Sequence, residues 1–181
     1  CHSQIEIFVH GALCMSYSGE CLMSALIGNR SGNRGTCAQC CRQPYSLEIN
    51  NKKVDDGYLL STKDLNTLSN IGKLIDIGVD SLKIEGRMKR PEYVYLVTSM
   101  YRKAIDNYKK YGETRISKTD ILELKKMFNR GFTSGFIFGE DNDNFVNTFR
   151  PNHLGIEIGR VIDYKNGYVY IKLNNELVIN D

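Results

Sequence analysis

The sequence predicts an α/β protein with parallel strands, followed by the start of a smaller β domain. Over roughly the first 130 residues, the segments follow the order strand, loop, helix, strand, helix. After about residue 150, alternating apolar residues flank a turn, which is typical of antiparallel strands. The composition, 41% hydrophobic and 25% charged, is that of a folded globular protein.

Two segments predict the strands of the α/β part. Residues 5–10 form a β-branched and aromatic run closed by Gly11, and Ser81–Glu85 form a second predicted strand followed by Gly86. Between them, residues 28–36 carry three glycines and two asparagines, which predicts a loop with positive-φ positions.

Three segments have apolar residues at helical spacing. Ser61 and Asp64 resemble a capping box that opens a helix, whose apolar face recurs to Ile75 and which ends at Gly78. Pro91 is at the expected first position of a second helix that continues to about Tyr111. A third helix is expected over about 119–128, with Gly131 just beyond its end.

The last segment predicts a hairpin. Residues 156–164 and 168–173 alternate around Lys165-Asn166-Gly167, so we expect the start of a β module that is incomplete at Asp181. Too few βα units are present to close a sheet around its own core, and residue 1 is not Met. We therefore expect the chain to be part of a longer protein.

Hydropathy and charge bear on whether the protein is membrane-bound, secreted or bound to nucleic acid. No apolar run is long enough to span a bilayer and the first residues are no signal peptide, so we expect a cytoplasmic protein without a membrane partner. The net charge of +3 is too small to imply a nucleic-acid partner by itself. Basic residues cluster among the cysteines and at the end of the second strand, which favours an anionic ligand; a solvated mixed-charge surface is the alternative.

Four cysteines carry the strongest functional signal. Cys14, Cys21, Cys37 and Cys41 follow the spacing C-x6-C-x15-C-x3-C. In a reducing compartment such a cluster indicates a metal site rather than disulfides, although small buried cysteines could also fill core space. Zinc sites usually show paired short knuckles, whereas this irregular spacing suits an iron–sulfur cluster. Cys40 is next to Cys41, so either could be the fourth ligand.

Two further sets of residues are candidates for chemistry. Glu85 and Arg87 follow the second strand, where they would act as a base and as a carboxylate clamp, or form a structural ion pair. His10 lies near Cys14, so a nucleophilic pair is one possibility and a structural histidine the other. No Ser–His–Asp set and no H-E-x-x-H motif is present.

Several of these segments, in collinear order, resemble peptidase family U32, the collagenase-like proteases. The resemblance spans roughly residues 5–160, with the departure that Cys40 replaces a proline of the family's usual C-A-Q-P-C-R segment. The matching stretches are 6–14 (EIFVHGALC), 17–24, 30–39, 61–65, 83–89 (KIEGRMK) and 128–132 (FNRGF).

The resemblance implies a TIM-barrel-like core followed by a small β-barrel domain. Residues 1–112 would be the C-terminal part of the barrel, 113–150 a helical and loop connector, and 151–181 the start of the β domain. Bacterial members of the family act in hydroxylation of tRNA or rRNA bases, with prephenate implicated, and several hold a 4Fe–4S cluster on four cysteines.

Three hypotheses about function follow. The favoured one is an RNA-hydroxylation enzyme with a 4Fe–4S cluster on Cys14, Cys21, Cys37 and Cys41, zinc being the alternative metal. In it, basic side chains would contact RNA phosphate or an anionic cosubstrate. The others are a metal-dependent or cysteine peptidase and a metal-stabilised binding scaffold. The candidate ligand-binding residues are Arg34, Lys83, Arg87 and Lys89.

Overall fold

The computed structural model describes residues 3–17, 20–139, 145–174 and 177. Ser18 and Gly19 of the family-like stretch, and most of the end of the expected β domain, lie outside these residues. The described chain is mixed α/β, which confirms the predicted class. Its strands are β1 (Glu6–Ala12), β2 (Tyr45–Ile49), β3 (Lys52–Gly57), β4 (Asp64–Asn66), β5 (Ser81–Ile84), β6 (Phe132–Thr133), β7 (Gly159–Lys165) and β8 (Tyr168–Leu173).

Four α-helices accompany these strands. They are α1 (Met23–Gly28), α2 (Ile71–Asp76), α3 (Pro91–Tyr111) and α4 (Lys118–Met127). Pro91 opens α3 and the helix ends at Tyr111, as the sequence predicts, and the next residue, Gly112, is left-handed. A capping box begins α4: the Ser117 hydroxyl accepts a hydrogen bond from the Asp120 N–H, and the Asp120 carboxylate accepts one from the Ser117 N–H.

The central sheet has the strand order β5-β1-β4-β6. β1 pairs in parallel with β5, and β4 with β6, but β1 and β4 are antiparallel. The expectation of purely parallel strands is therefore wrong for the middle pair. Within the described residues the sheet is open and forms no closed barrel.

The prediction that a helix begins at Ser61 is also wrong for the residues before Ile71. Asp64–Asn66 forms β4, and α-helix begins only at Ile71, after a 3-10 turn at Leu68–Asn70. The apparent cap fails because Asp64 has a distant partner: its carboxylate accepts hydrogen bonds from the Nε and the backbone N–H of Arg130. A tertiary contact thus overrides the local signal.

The core lies between the sheet and the helices. Val9 of β1 packs with apolar residues of α2, α3 and α4, all nearly inaccessible to solvent. The buried cluster comprises Val9, Leu68, Ile71, Leu74, Tyr93, Val97, Tyr101, Ala104 and Leu124. This packing fixes β1, whose carboxyl end leads directly into the cysteine segment.

Two hairpins lie outside the central sheet. β7 and β8 pair through a turn in which Asn166 and Gly167 both have positive φ, which confirms the predicted hairpin. The β2–β3 hairpin was not predicted. Its turn residues Asn50 and Asn51 also have positive φ, so the Asn-Asn pair was the available signal.

Candidate functional site

The cysteine segment, residues 13–43, brings its five cysteines around one cavity of about 450 Å³. The segment runs from the end of β1 through α1 to a 3-10 turn at Cys40–Arg42. Cys14, Cys21, Cys37, Cys40 and Cys41 all line this cavity, and all are free thiols. Side chains separated in sequence therefore converge on one space, which we call the cysteine cavity.

Ser24 in α1 holds the two halves of the segment together. Its buried hydroxyl accepts a hydrogen bond from the Ala38 N–H at 2.7 Å and donates one to the Arg30 carbonyl. Gly28 permits the same approach, because a Cβ at this position would lie 2.9 Å from Ala38 Cβ. The chain that carries Cys37 and Cys41 thus packs directly on α1.

Arg42 fastens the Cys40–Arg42 turn to the rest of the protein. Its guanidinium donates to the Ser61 and Thr62 hydroxyls, both at 2.8 Å, to the Thr62 carbonyl, and to the Leu13 carbonyl at 3.2 Å. Only 8% of this side chain is exposed, and all of these acceptors are uncharged. A buried cation without a carboxylate partner is unusual, since burial normally requires a counter-charge.

The Cys41 thiol is influenced by neighbouring charged groups. Burial raises the pKa of the Cys41 thiol, the Arg42 charge lowers it, and Cys14, Cys37 and Cys21 raise it further. Cys41 therefore lies within electrostatic range of the other three cysteines that line the cavity. Cys40 is buried instead, and its Sγ would lie 3.7 Å from a Cβ placed on Gly28.

The donor set is suited to a thiophilic metal or cluster. The Gln39 N–H donates a hydrogen bond to Cys37 Sγ at 3.3 Å, and N–H···S bonds of this kind tune iron–sulfur sites. Gln39 adopts a left-handed φ of 55° to present that N–H. In the described ranges, however, no three Cys, His, Asp or Glu side chains are already arranged to hold a metal ion.

A buried ion pair lies behind the cysteine segment. Asp64 at the start of β4 is 3% exposed, and it accepts a 3.0 Å hydrogen bond from Arg130 Nε. The Lys89 ammonium lies 2.8 Å from the centroid of the Phe128 ring next to this pair. Burial lowers the Lys89 pKa to about 8; Asp64 opposes that shift and Arg130 adds to it.

His10 is enclosed in the core, with only 1% of its surface exposed. Its ring lies 5.7 Å from that of Tyr101 and 5.9 Å from that of Phe132, measured between centroids. Burial lowers its pKa to about 4, although Asp64 opposes the shift. This placement favours the structural alternative, and a catalytic role for His10 stays a prediction.

The other predicted residues are distributed around the end of β5. Glu85 is half-buried beside β1, and its backbone N–H donates a hydrogen bond to the His10 carbonyl. Its Cβ lies so close to Gly11 that a Cβ at position 11 would be only 2.5 Å away, so only glycine fits there. Lys83 and Arg87 are exposed, as is Arg34 in the cysteine segment, and none of these three lines the cysteine cavity.

Sequence reasoning gave no role to Arg42, Arg130 or His153. The hydrogen-bond partners of Arg42 and Arg130 are 19 or more residues away from them in sequence. His153 stacks on Phe128 at 5.3 Å between ring centroids, and its Nδ1 accepts a 3.0 Å hydrogen bond from the Asn129 N–H. No local pattern signals contacts of this kind.

Comparison with known proteins gives a consistent family assignment. Residues 1–147 match the sequence model described as peptidase family U32. No solved structure matches the chain. No helix in the described part of the chain is long and apolar enough to cross a membrane.

Similar proteins have two kinds of name. The chain is 45% identical over 141 residues to a collagenase of Porphyromonas gingivalis, covering 76% of this chain and 39% of that protein. It is 35% identical over 187 residues to the 23S rRNA 5-hydroxycytidine C2501 synthase of Escherichia coli, covering 98% of this chain and 28% of that one. It is 41% identical over 145 residues to tRNA hydroxylation protein P1 of Bacillus subtilis, covering 75% and 34%. The chain therefore spans less than half the length of these relatives.

Proposed function

The chain belongs to peptidase family U32, and from this membership and the cysteine cavity we propose that it is part of an iron–sulfur enzyme that acts in hydroxylation of a tRNA or rRNA base. The observation that carries the proposal is the convergence of the cysteines on one cavity. Relatives named as tRNA and rRNA hydroxylation proteins support the RNA substrate.

In this proposal Cys14, Cys21, Cys37 and Cys41 hold a 4Fe–4S cluster. Cys41 is preferred to Cys40 because its thiol interacts electrostatically with the other three, while Cys40 packs against α1 at Gly28. Four thiolates bring a net negative charge, and the buried Arg42 guanidinium beside Cys41 offsets it. The same negative charge would supply the counter-ion that Arg42 lacks among the neighbouring oxygens.

A bound cluster would supply one-electron chemistry, and the chain's own residues would position the reactants. Lys83, Arg87 and Lys89 lie at or beyond the end of β5, where they would contact RNA phosphates or a small anionic cosubstrate such as prephenate. Arg34 would add a further contact from the cysteine segment. Glu85, half-buried next to β1, would be the base or would orient a polar group of the substrate.

The second candidate function is proteolysis, and the relatives named collagenase favour it. A cysteine peptidase needs a thiol within hydrogen-bonding reach of a base. Of the thiols that the structure describes, none is hydrogen-bonded to a histidine, and His10 is enclosed in the core. A zinc ion on the same cysteines would serve either a metallopeptidase or a metal-stabilised scaffold.

The cluster is tested by purifying the protein without oxygen and measuring its visible absorption, iron, acid-labile sulfide and zinc. We expect broad visible charge-transfer absorption, with about four iron and four sulfide per chain. Alanine at Cys14, Cys21, Cys37 or Cys41 should remove most of the iron, while Cys40→Ala, the matched control, should keep it. Stoichiometric zinc without sulfide, or a metal-free protein after reconstitution, would refute the cluster and favour the peptidase or scaffold.

The RNA reaction needs its own measurement. RNA from cells that lack the gene should lose one hydroxylated nucleoside in mass spectrometry, and the unaltered gene should restore it whereas the Cys41→Ala gene should not. If the nucleoside profile is unchanged and a gelatin or peptide substrate is cleaved instead, proteolysis replaces hydroxylation as the function.

A further inference from the structure

A second cavity, of about 780 Å³, adjoins the cysteine cavity and shares Cys37 with it. Its walls come from four separate parts of the chain: residues 30–43 of the cysteine segment, Tyr58, residues 128–130 after α4, and residues 151–153. Of the described residues that line it, three are arginines and none is an aspartate or glutamate. We call it the basic cavity.

The two buried arginines of this cavity have the same charge and disfavour each other. Arg42 and Arg130 both line the cavity, and each is only 8% exposed. Arg130 has its own carboxylate partner in Asp64, but Arg42 is bonded only to neutral oxygens. A negative charge placed in the cavity would therefore interact favourably with an excess of positive charge.

Two further donors lining the cavity are available to a ligand. Throughout the described residues, the exposed guanidinium of Arg30 has neither a hydrogen-bond nor an ion-pair partner. The Nδ1 atom of His153 lies 3.0 Å from the Asn129 N–H, 3.3 Å from the Gly155 N–H and 3.3 Å from the Asn129 carbonyl oxygen. Because two N–H donors point at Nδ1, the contacts favour the proton of the neutral ring on Nε2. That Nε2–H has no partner among the described side chains or backbone.

The cavity also has an apolar wall. Phe128 and the stacked His153 ring, with an interplanar angle of 14°, lie in it together with Tyr58. Flat aromatic surfaces next to guanidinium groups suit a small ligand that has an anionic group and an unsaturated or ring-like body.

We propose that the basic cavity binds an oxyanion, carboxylate or phosphate, through Arg30 and His153 Nε2–H, with the charge of the buried Arg130 next to them, and holds it beside Cys37. Arg42 also lines the basic cavity and adds its charge without giving up its hydrogen bonds to Ser61 and Thr62. The proposal rests on the proposed function only in taking the cysteine cavity as the reaction site. Binding of the anion itself requires no cluster.

The test is calorimetric titration of the purified protein with malonate and, separately, with inorganic phosphate at low ionic strength. We expect saturable binding of at least one anion, weakened about tenfold or more by Arg30→Gln, since one charge-assisted hydrogen bond is removed. Arg30 is exposed, so this variant should fold, and an unchanged melting temperature would verify that. The matched control is Arg160→Gln, which removes another exposed arginine, from β7, and should leave the affinity unchanged.

The two anions and an RNA competitor separate the sources of the ligand. Tighter binding of malonate, without displacement by a short single-stranded RNA, supports a free carboxylate as the ligand. Phosphate binding that the RNA displaces supports an RNA phosphate. Absence of saturable binding to both anions, or equal affinity in the Arg30→Gln variant, overturns the proposal, and iron analysis of the same preparation decides the cluster independently.

Discussion

The cysteine segment and the helix-covered core are held together by different forces. In the described part of residues 13–43 the buried residues are Ser24, Cys40 and Arg42, so the segment is positioned mainly by hydrogen bonds from a hydroxyl and a guanidinium. The core behind it is mostly apolar, with nine buried residues in one cluster. Polar anchors of this kind fix where a loop attaches while leaving its exposed thiols free to adjust around a ligand. Changes in the core should therefore affect stability, and changes in the segment should affect ligand retention.

Among the changes that test this difference between segment and core, we expect the largest loss of stability at the buried Asp64–Arg130 ion pair. Asp64→Asn leaves the Arg130 charge buried without a carboxylate, and such a change typically costs about 3–5 kcal/mol of unfolding free energy. Urea denaturation of the variant and of the unaltered protein measures it. Arg102→Gln is the matched control: it breaks an ion pair of similar geometry on the exposed face of α3 and should leave stability within error.

A double variant separates the lost charge partner from the lost packing. Asp64→Leu with Arg130→Met replaces the pair by apolar side chains and should recover most of the stability that Asp64→Asn loses. If Asp64→Asn costs no more than Arg102→Gln, burial of the pair is not what distinguishes the two regions, and the comparison fails.

The sequence predicted elements that depend on local patterns, but it did not predict the polar contacts between distant residues. Helices α3 and α4, strands β1 and β5 and the final hairpin all follow from local periodicity, proline and turn residues. The helix expected from Ser61 failed because Asp64 is bonded to Arg130, which is 66 residues away. Spacing also identified the cysteines as a group. Spacing could not identify Arg42, because this residue anchors the segment through hydrogen bonds to Ser61 and Thr62. Local sequence patterns do not predict contacts between such distant segments.

The second prediction concerns His10, which contributes to the core only as a neutral ring. Its pKa is about 4 in the folded protein and about 6.5 when unfolded, so the unfolded chain binds more protons between these values. The contribution of His10 to the unfolding free energy should therefore be fully present above about pH 6.5. It should fall by about 3 kcal/mol as the pH is lowered to about 4.

The measurement is the unfolding free energy at pH 7.5, 5.5 and 4.5 for the unaltered protein and for His10→Gln. Other groups titrate over this range as well, so the diagnostic quantity is the difference in pH slope between the two proteins. The variant should be less stable at pH 7.5 yet lose less stability on acidification. Parallel slopes would mean that His10 is solvated, and that the catalytic role left open for it merits a direct activity test.

The third prediction concerns Gly28→Ala, which should change stability least. It also distinguishes most clearly between the cysteine segment and the core. Gly28→Ala should raise helix propensity in α1 by about 1 kcal/mol, but the new Cβ would lie 2.9 Å from Ala38 Cβ. Because the Ser24 hydroxyl binds the Ala38 N–H, the chain leading to Cys41 must shift to make room. Overpacking costs about 1–3 kcal/mol, so the net change in unfolding free energy should be small.

If the cysteines hold a cluster, that shift should appear in iron retention. We expect Gly28→Ala to lose iron to a chelator several times faster than the unaltered protein at nearly equal stability, and Gly28→Ala with Ala38→Gly to restore retention by removing the opposing methyl group. Loss of stability without faster iron loss would mean that the segment and the core form one cooperative unit. Faster iron loss that the second substitution corrects would show that close packing on α1, and not overall stability, keeps the thiols in place, because the two substitutions alter the same contact in opposite directions.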